Sequence, residues 1–406
     1  MIALIQGGLK EQSLSNSYDV VVIGAGTGGY VAAIRASQLG LKVAVVEKQK
    51  ALGGTCLIWG CIPTKALLEH AHALKVIQQA KEWAVTIPAG APSIDMGQVH
   101  ARKEKIVTGL TKGIEFLFKK NKIDWIKGTA RLLGDGKVDI FEGDKQTLNA
   151  KEIIIATGSS PRSVPGVDID KKRIITSDQA IHLKKVPKSL VVLGSGAVGV
   201  ECASIYRRFG SEVTIIELLP RLVPVEDEAI SAELEKSFKK QGIKSLMSTK
   251  LTKAKATSKG VDIEAQTPDG KTVSMTAEIL LVATGRGPVT TGLGIEDIGL
   301  ELEKGYIKVD KLYRTSIKNI SAIGDVVTLG ESIHPQLAHV SSAEGVIVAE
   351  RLAGQEAVPL NFLHVPGCTY CDPEIGSVGL TEAKAKEQGY DVQVGKFPFG
   401  VLGRAK

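Results

Sequence analysis

Two cysteines, Cys56 and Cys61, stand with four residues between them in the run GGTCLIWGCIPTK. A close dithiol can cycle between thiol and disulfide and so move two electrons at a time, provided an acceptor lies beside it. Pro63 and Thr64 follow, and the spacing of Leu67, Leu68, Leu74 and Ile77 predicts an amphipathic helix over 64–80. Cys61 would then lie near a helix N-terminus, where the dipole stabilises a thiolate and lowers the thiol pKa. Cys56 precedes it across a glycine-containing turn and is expected to be the more exposed thiol, the one that exchanges with an incoming dithiol. The bland alternative is a pair of buried structural cysteines.

The elements around the dithiol repeat. Residues 19–29 read DVVVIGAGTGG, an apolar run feeding Gly24-x-Gly26-x-x-Gly29, followed by a helical stretch and by KVAVVE ending in Glu47. Residues 190–201 read LVVLGSGAVGVE, with Gly194-x-Gly196-x-x-Gly199, then a helix and VTIIE ending in Glu217. Gly24 to Glu47 and Gly194 to Glu217 are both twenty-three positions. Two complete strand–turn–helix–strand–acid units predict two dinucleotide sites. The first glycine allows the tight turn, the second lets backbone approach a pyrophosphate, and the third lets helix pack on strand. The helix N-terminus offers N–H groups to the phosphates, and the acid accepts from ribose hydroxyls. A carboxylate at Glu217 would repel a 2′-phosphate, which favours NAD over NADP. The competing reading is that a glycine set only makes turns.

The runs IIIATGS (153–159) and LLVATGR (280–286) echo one another. Such turns suit chain crossings between domains and close approach to a dinucleotide, making Thr157, Gly158 and Gly285 cofactor-binding candidates alongside Gly54 and Thr55. A domain of residues 159–286 inserted in the first would begin and end there, and 287–357 would return to the first. In NISAIGDVV (319–327), Asp325 could bind a ribityl or ribose hydroxyl, although Gly-Asp alone is a common turn.

The bulk numbers exclude several classes. At 406 residues the chain exceeds one ordinary core, and 43% hydrophobic with 23% charged residues is globular composition. The net charge of +7 comes from scattered lysines without aromatic interleaving, which reads as solvated surface and not as a nucleic-acid face. No apolar segment reaches bilayer-spanning length, and the Ile2–Ile5 stretch lacks the flanks of a secretory signal. Five cysteines are too few for a disulfide scaffold, so the cytoplasm is the default compartment.

With GGTCLIWGCIPTK, both glycine units and AIGDV in view, the chain resembles the pyridine nucleotide–disulfide oxidoreductases, most closely their dihydrolipoamide dehydrogenase branch. The resemblance runs from about Tyr18 to the last residue, through TPDGKTVSMTAEILLVATGR and CDPEIGSVGLTEAKAKEQGYD. It implies an α/β fold with two Rossmann-like domains: an FAD domain (18–158 and 287–357) and an inserted NAD domain (159–286). The start of an α+β interface domain that makes a homodimer would follow (358–406). It also implies that protein-bound dihydrolipoamide reduces the Cys56–Cys61 disulfide, that Cys61 faces the flavin, and that NAD⁺ is the final acceptor. The partner would be the lipoyl domain of a 2-oxo acid dehydrogenase acyltransferase or a glycine-cleavage carrier. By position, Lys65 resembles the family lysine beside the flavin and Glu201 its glutamate partner. Leu337, Ala338 and His339 resemble the segment near the isoalloxazine. Without the family, Lys65 reads as an ordinary helix lysine, Glu201 as a first-turn acid and His339 as a structural histidine.

The sequence also departs from the family. Ile58 replaces a frequent Asn, Val340-Ser341-Ser342 replaces a more charged stretch, and Cys368-Thr369-Tyr370-Cys371 is unusual. With no second cysteine pair, this C-x-x-C predicts local packing or opportunistic oxidation and no metal site. The sequence stops at Lys406 before the His-x-x-x-x-Glu segment that supplies the relatives' general base, so a fragment is expected. Rival readings are a mercuric or other metal-ion reductase, a nucleotide-dependent sensor, and an inactive fragment. Glutathione reductase is disfavoured by Glu217.

Overall fold

The structure is a computed structural model that describes residues 16–87, 90, 92–330 and 334–403. The Ile2–Ile5 stretch and the Lys406 end lie outside the described residues. The chain folds as two compact units.

Runs of β-branched residues set the frame of the first unit, which comprises residues up to 164, 175–186 and 284–360. Val20 to Val22, Val43 to Val46 and Ile153 to Ile155 are all buried, as strands covered on both faces require. Five strands lie parallel in the order Asp124–Gly134, Val43–Glu47, Ser17–Ile23, Gln146–Ile155 and Ile320–Ala322. The antiparallel strand Lys137–Gly143 joins Asp124–Gly134 to Gln146–Ile155. The Thr27–Gln38 helix packs so closely on Ala338–Leu352 that a Cβ at Gly345 would lie 2.6 Å from the Gly28 carbonyl oxygen.

The helix predicted over 64–80 begins earlier and runs from Cys61 to Gln78. Pro63 does not stop it, because in the first turn a missing N–H forfeits no intrahelical bond. The next helix, Met96–Lys120, buries Lys103 completely. Its Nζ donates to the Ile181 carbonyl (2.8 Å), lies 3.0 Å from His182 Nδ1 and pairs with Glu104 (3.2 Å). Burial holds the Lys103 pKa below its ordinary value, with Glu104 opposing.

The second unit comprises 165–174, 187–283 and the residues from 361. Its parallel strands run in the order Lys244–Leu246, Glu212–Ile216, Ser189–Leu193, Ile279–Val282, and Lys250–Ala256, Val261–Gln266 and Thr272–Ala277 form a three-stranded antiparallel sheet. The short strands Gly367–Thr369 and Ile375–Ser377 pair antiparallel. This segment is tied in by Gln241 Nε2 donating to the Asp372 carbonyl (2.6 Å) and by the Glu382 N–H donating to Asp227 (3.0 Å). Among the described residues no helix is long and apolar enough to cross a membrane.

Candidate functional site

The first glycine turn has the geometry that its residue types demand. Gly24 adopts φ +101°, and a Cβ there would lie 2.4 Å from the Ala156 carbonyl oxygen. A Cβ on Gly29 would overlap the Gly24 carbonyl, so neither position admits a side chain. Gly26 differs, because a Cβ there would meet nothing within 4 Å. That open space lies at the N-terminus of Thr27–Gln38, and no side chain caps the helix. An uncapped helix end beside clear space is a fitting cradle for the pyrophosphate of a dinucleotide such as FAD. Glu47 closes the unit: its Oε2 accepts from the Ala25 N–H (2.7 Å) and its Oε1 from the Gln49 N–H (2.8 Å). Burial raises the Glu47 pKa, and the backbone donors oppose that rise.

The dithiol is fastened to this cradle. Cys56 lies on the single-turn helix Gly54–Ile58, whose first residue has φ +58°. A Cβ on Gly54 would lie 2.6 Å from Gly26 Cα, so the two turns touch backbone to backbone. Cys61 is the first residue of its helix, and both cysteines are half-buried and not joined as a disulfide. The Cys56 thiol is hydrogen-bonded to Cys61, which, with burial, raises its pKa far above the ordinary thiol range; Lys65 opposes and Asp325 adds to the rise. The two thiols of such a pair titrate together, and Cys61 is the one that lies at a helix N-terminus, where the dipole favours a thiolate. Lys65 is half-buried one turn beyond Cys61.

The two Ala-Thr-Gly echoes meet in an antiparallel ribbon, Ser159–Pro161 with Arg286–Pro288. Thr157 Oγ1 donates to the Val289 carbonyl (2.7 Å), and the Val289 N–H donates to Gly158 (2.9 Å). The Gly285 carbonyl accepts from the Arg162 N–H (3.0 Å). Sequence reasoning missed the residues just after each glycine. Arg286 Nε donates to the Ser159 hydroxyl (2.7 Å), which donates to Asp325 Oδ2 (2.6 Å). Arg286 also reaches the Thr55 hydroxyl at 3.5 Å, beside Cys56. Their matching positions in ATGS and ATGR were the available signal.

Behind Asp325, the Gly324 N–H donates to Glu344 Oε2 (2.6 Å), and His334 Nε2 lies 2.5 Å from Glu344 Oε1. Glu344 and His334 are buried and fix the turn that presents Asp325. Leu337 precedes the helix that Ala338 begins, and His339 is exposed in its first turn.

In the second unit Gly194 repeats φ +101°, a Cβ on Gly199 would overlap the Gly194 carbonyl, and Gly196 is open. The Ala197–Phe209 helix likewise has no side-chain cap. Glu217 Oε2 accepts from both the Ser195 N–H (2.7 Å) and the Ser195 hydroxyl (2.8 Å), and Oε1 from the Leu219 N–H (2.8 Å). Glu201 is buried and its Oε1 accepts from the Tyr370 N–H (2.9 Å). Cys368 is exposed, whereas Cys371 is buried and its thiol is pushed up to about 12, first by burial and then by Glu201. Among the described residues no group of three or more His, Cys, Asp or Glu could hold a metal ion.

Comparison with known proteins agrees with this geometry. The profile of "Pyridine nucleotide-disulphide oxidoreductase" matches residues 18–345, and that of the dimerisation domain of the same group matches 365–406. A protein named dihydrolipoyl dehydrogenase 3 from Pseudomonas putida is 46% identical over 393 residues, covering 96% of this chain and 83% of the relative. Dihydrolipoyl dehydrogenase from Bacillus subtilis is 43% identical over 403 residues, covering 97% and 83%. Among solved structures, the HOCl-induced flavoprotein disulfide reductase RclA from Escherichia coli matches with TM-score 0.82 and 28% identity, over 95% of this chain and 83% of that one. Two glycine cradles, a dithiol locked to the first of them and these matches lead to one assignment: the chain belongs to the pyridine nucleotide-disulphide oxidoreductase family.

Proposed function

We propose that the chain oxidises a protein-bound dihydrolipoyl group to its disulfide, with NAD⁺ as the final acceptor. The observation that carries this reading is the Cys56–Cys61 pair, hydrogen-bonded, under the influence of Lys65 and fastened through Gly54 to an open phosphate cradle. In the oxidised state a substrate thiolate attacks Cys56 Sγ and forms a mixed disulfide, while Cys61 leaves as a thiolate. The second substrate thiol then displaces Cys56, releasing the cyclic disulfide and leaving two reduced cysteines. The helix N-terminus stabilises Cys61 as the leaving thiolate, and Lys65 supplies positive charge one turn away. Gly24, Gly26, Gly29, Glu47 and the Asp325 turn would hold FAD, which when bound would supply the two-electron and hydride chemistry that links the dithiol to NAD⁺.

Gly194, Gly196, Gly199 and Glu217 are proposed to hold the NAD⁺, and Glu201 is proposed as a catalytic residue by its resemblance to the family glutamate. Gly54, Thr55, Thr157, Gly158, Gly285, Leu337, Ala338 and His339 complete the proposed cofactor contacts. The match of residues 365–406 to a dimerisation domain supports a homodimer, and the dihydrolipoyl relatives support a lipoyl domain as partner. A cytoplasmic setting suits a dithiol that must be rereduced at each turnover.

The test is to titrate the purified flavoprotein anaerobically with dihydrolipoamide and then add NAD⁺. One equivalent should reduce the Cys56–Cys61 disulfide and bring up a long-wavelength thiolate–flavin band, and NAD⁺ should discharge that band with about one NADH formed per dithiol oxidised. Reduction by NADPH with Hg²⁺ turnover, and none by dihydrolipoamide, would favour the metal-reductase alternative.

A further inference from the structure

The two acidic residues that close the glycine turns occupy equivalent places but are not equivalently used. A carboxylate offers about four acceptor sites, two on each oxygen. At the first turn Oε2 of Glu47 accepts from the Ala25 N–H, and the carboxylate also accepts from the Gln49 and Lys48 N–H groups, with no hydroxyl beside it. At the second turn the corresponding residue is Ser195, fully buried, and Oε2 of Glu217 accepts both its N–H at 2.7 Å and its hydroxyl at 2.8 Å. That oxygen is saturated from within the protein. Oε1 of Glu217 accepts from the Leu219 N–H at 2.8 Å and keeps one site open.

We infer that Ser195 is a positioning residue that restricts Glu217 to a single hydrogen bond with the adenosine ribose of a nicotinamide dinucleotide. The inference deepens the proposed function and rests on the reading of the second unit as the NAD⁺ site. Ser195 is buried and acts only through Glu217. Its hydroxyl fixes the carboxylate plane and removes Oε2 from ligand binding, so one ribose hydroxyl is read and the other is not. Glu47, opposite Ala25, keeps Oε2 able to accept a second bond. NAD⁺ and NADH must exchange at every turnover, which a singly held ribose allows.

The experiment is calorimetric titration of the holoprotein with NAD⁺ and with its 2′-deoxy and 3′-deoxy adenosine-ribose analogues, in wild type, Ser195→Ala and Ser195→Gly. In wild type one analogue should bind about tenfold more weakly than NAD⁺, the other within about twofold. In both variants the two analogues should be penalised alike, and NAD⁺ itself should bind several-fold tighter. Equal penalties in wild type, or the wild-type pattern retained in the variants, would overturn the inference while leaving the NAD⁺ site intact. Absence of NAD⁺ binding to wild type would remove the proposed function and the inference together.

Discussion

Arg286 and Ser159 stand at matching positions of two Ala-Thr-Gly turns, and the Arg286 Nε–H donates to the Ser159 hydroxyl over 2.7 Å. The same hydroxyl donates to Asp325, so a cation orients a carboxylate through a neutral relay. Removing the relay leaves Asp325 unfixed in the turn proposed to hold the flavin. Ser159→Ala and Arg286→Ala should each raise the FAD dissociation constant by roughly tenfold, since hydrogen bonds to charged groups contribute about 1.5–3 kcal/mol. Flavin fluorescence on dilution measures it, and unchanged retention in both variants would remove the relay from the binding machinery.

The second glycine turn separates stability from binding. Gly196→Ala adds a methyl where nothing lies within 4 Å, so stability should change by less than about 0.5 kcal/mol. NAD⁺ should nevertheless bind about tenfold or more weakly, because that space is where backbone approaches phosphate. Gly199→Ala places the methyl on the Gly194 carbonyl and should cost roughly 1–3 kcal/mol or more. Denaturant midpoints alongside NAD⁺ titrations read out both arms. Equal stability of the two variants would contradict the packing.

Reduction of the dithiol should produce a long-wavelength absorbance from a thiolate beside the flavin. That thiolate is assigned to Cys61, whose place in the first turn of its helix favours the charged form. Cys61→Ser should abolish the band and Cys56→Ser should retain it. Persistence of the band in Cys61→Ser would reverse the assigned roles.

Lys103 gives a pH-dependent stability. Its folded-state pKa is lowered by burial, so the unfolded chain binds the proton more tightly. Stability relative to Lys103→Met should therefore rise with pH between the lowered value and the ordinary lysine value near 10.4, and level off above it. Urea midpoints of both proteins from pH 7 to 10 test the sign. A difference that is flat or falls with pH would contradict it.

The parts of this molecule that were legible in the sequence are those whose residues are close along the chain. The Gly24 and Gly194 turns, the acids Glu47 and Glu217, and the strand runs around them each declare themselves within twenty-odd residues. The start of the Cys61–Gln78 helix was misplaced by three residues because Pro63 reads as a breaker until its first-turn position is known. The Arg286–Ser159–Asp325 relay joins residues 127 and 166 positions apart, and no local pattern encodes such a meeting. The hydroxyl of Ser195 was invisible for a different reason. Serine in a glycine turn is unremarkable until a neighbouring carboxylate is seen to use it.

The backbone contact of Gly54 with Gly26 has a consequence for how this scaffold can change. Sulfur couple and nucleotide cradle share one reference frame, with no side chain between them to lengthen or shorten. Their separation is thus not an adjustable parameter of the protein. New substrates must be accommodated by the surfaces that lead to Cys56, while the inner corner stays fixed.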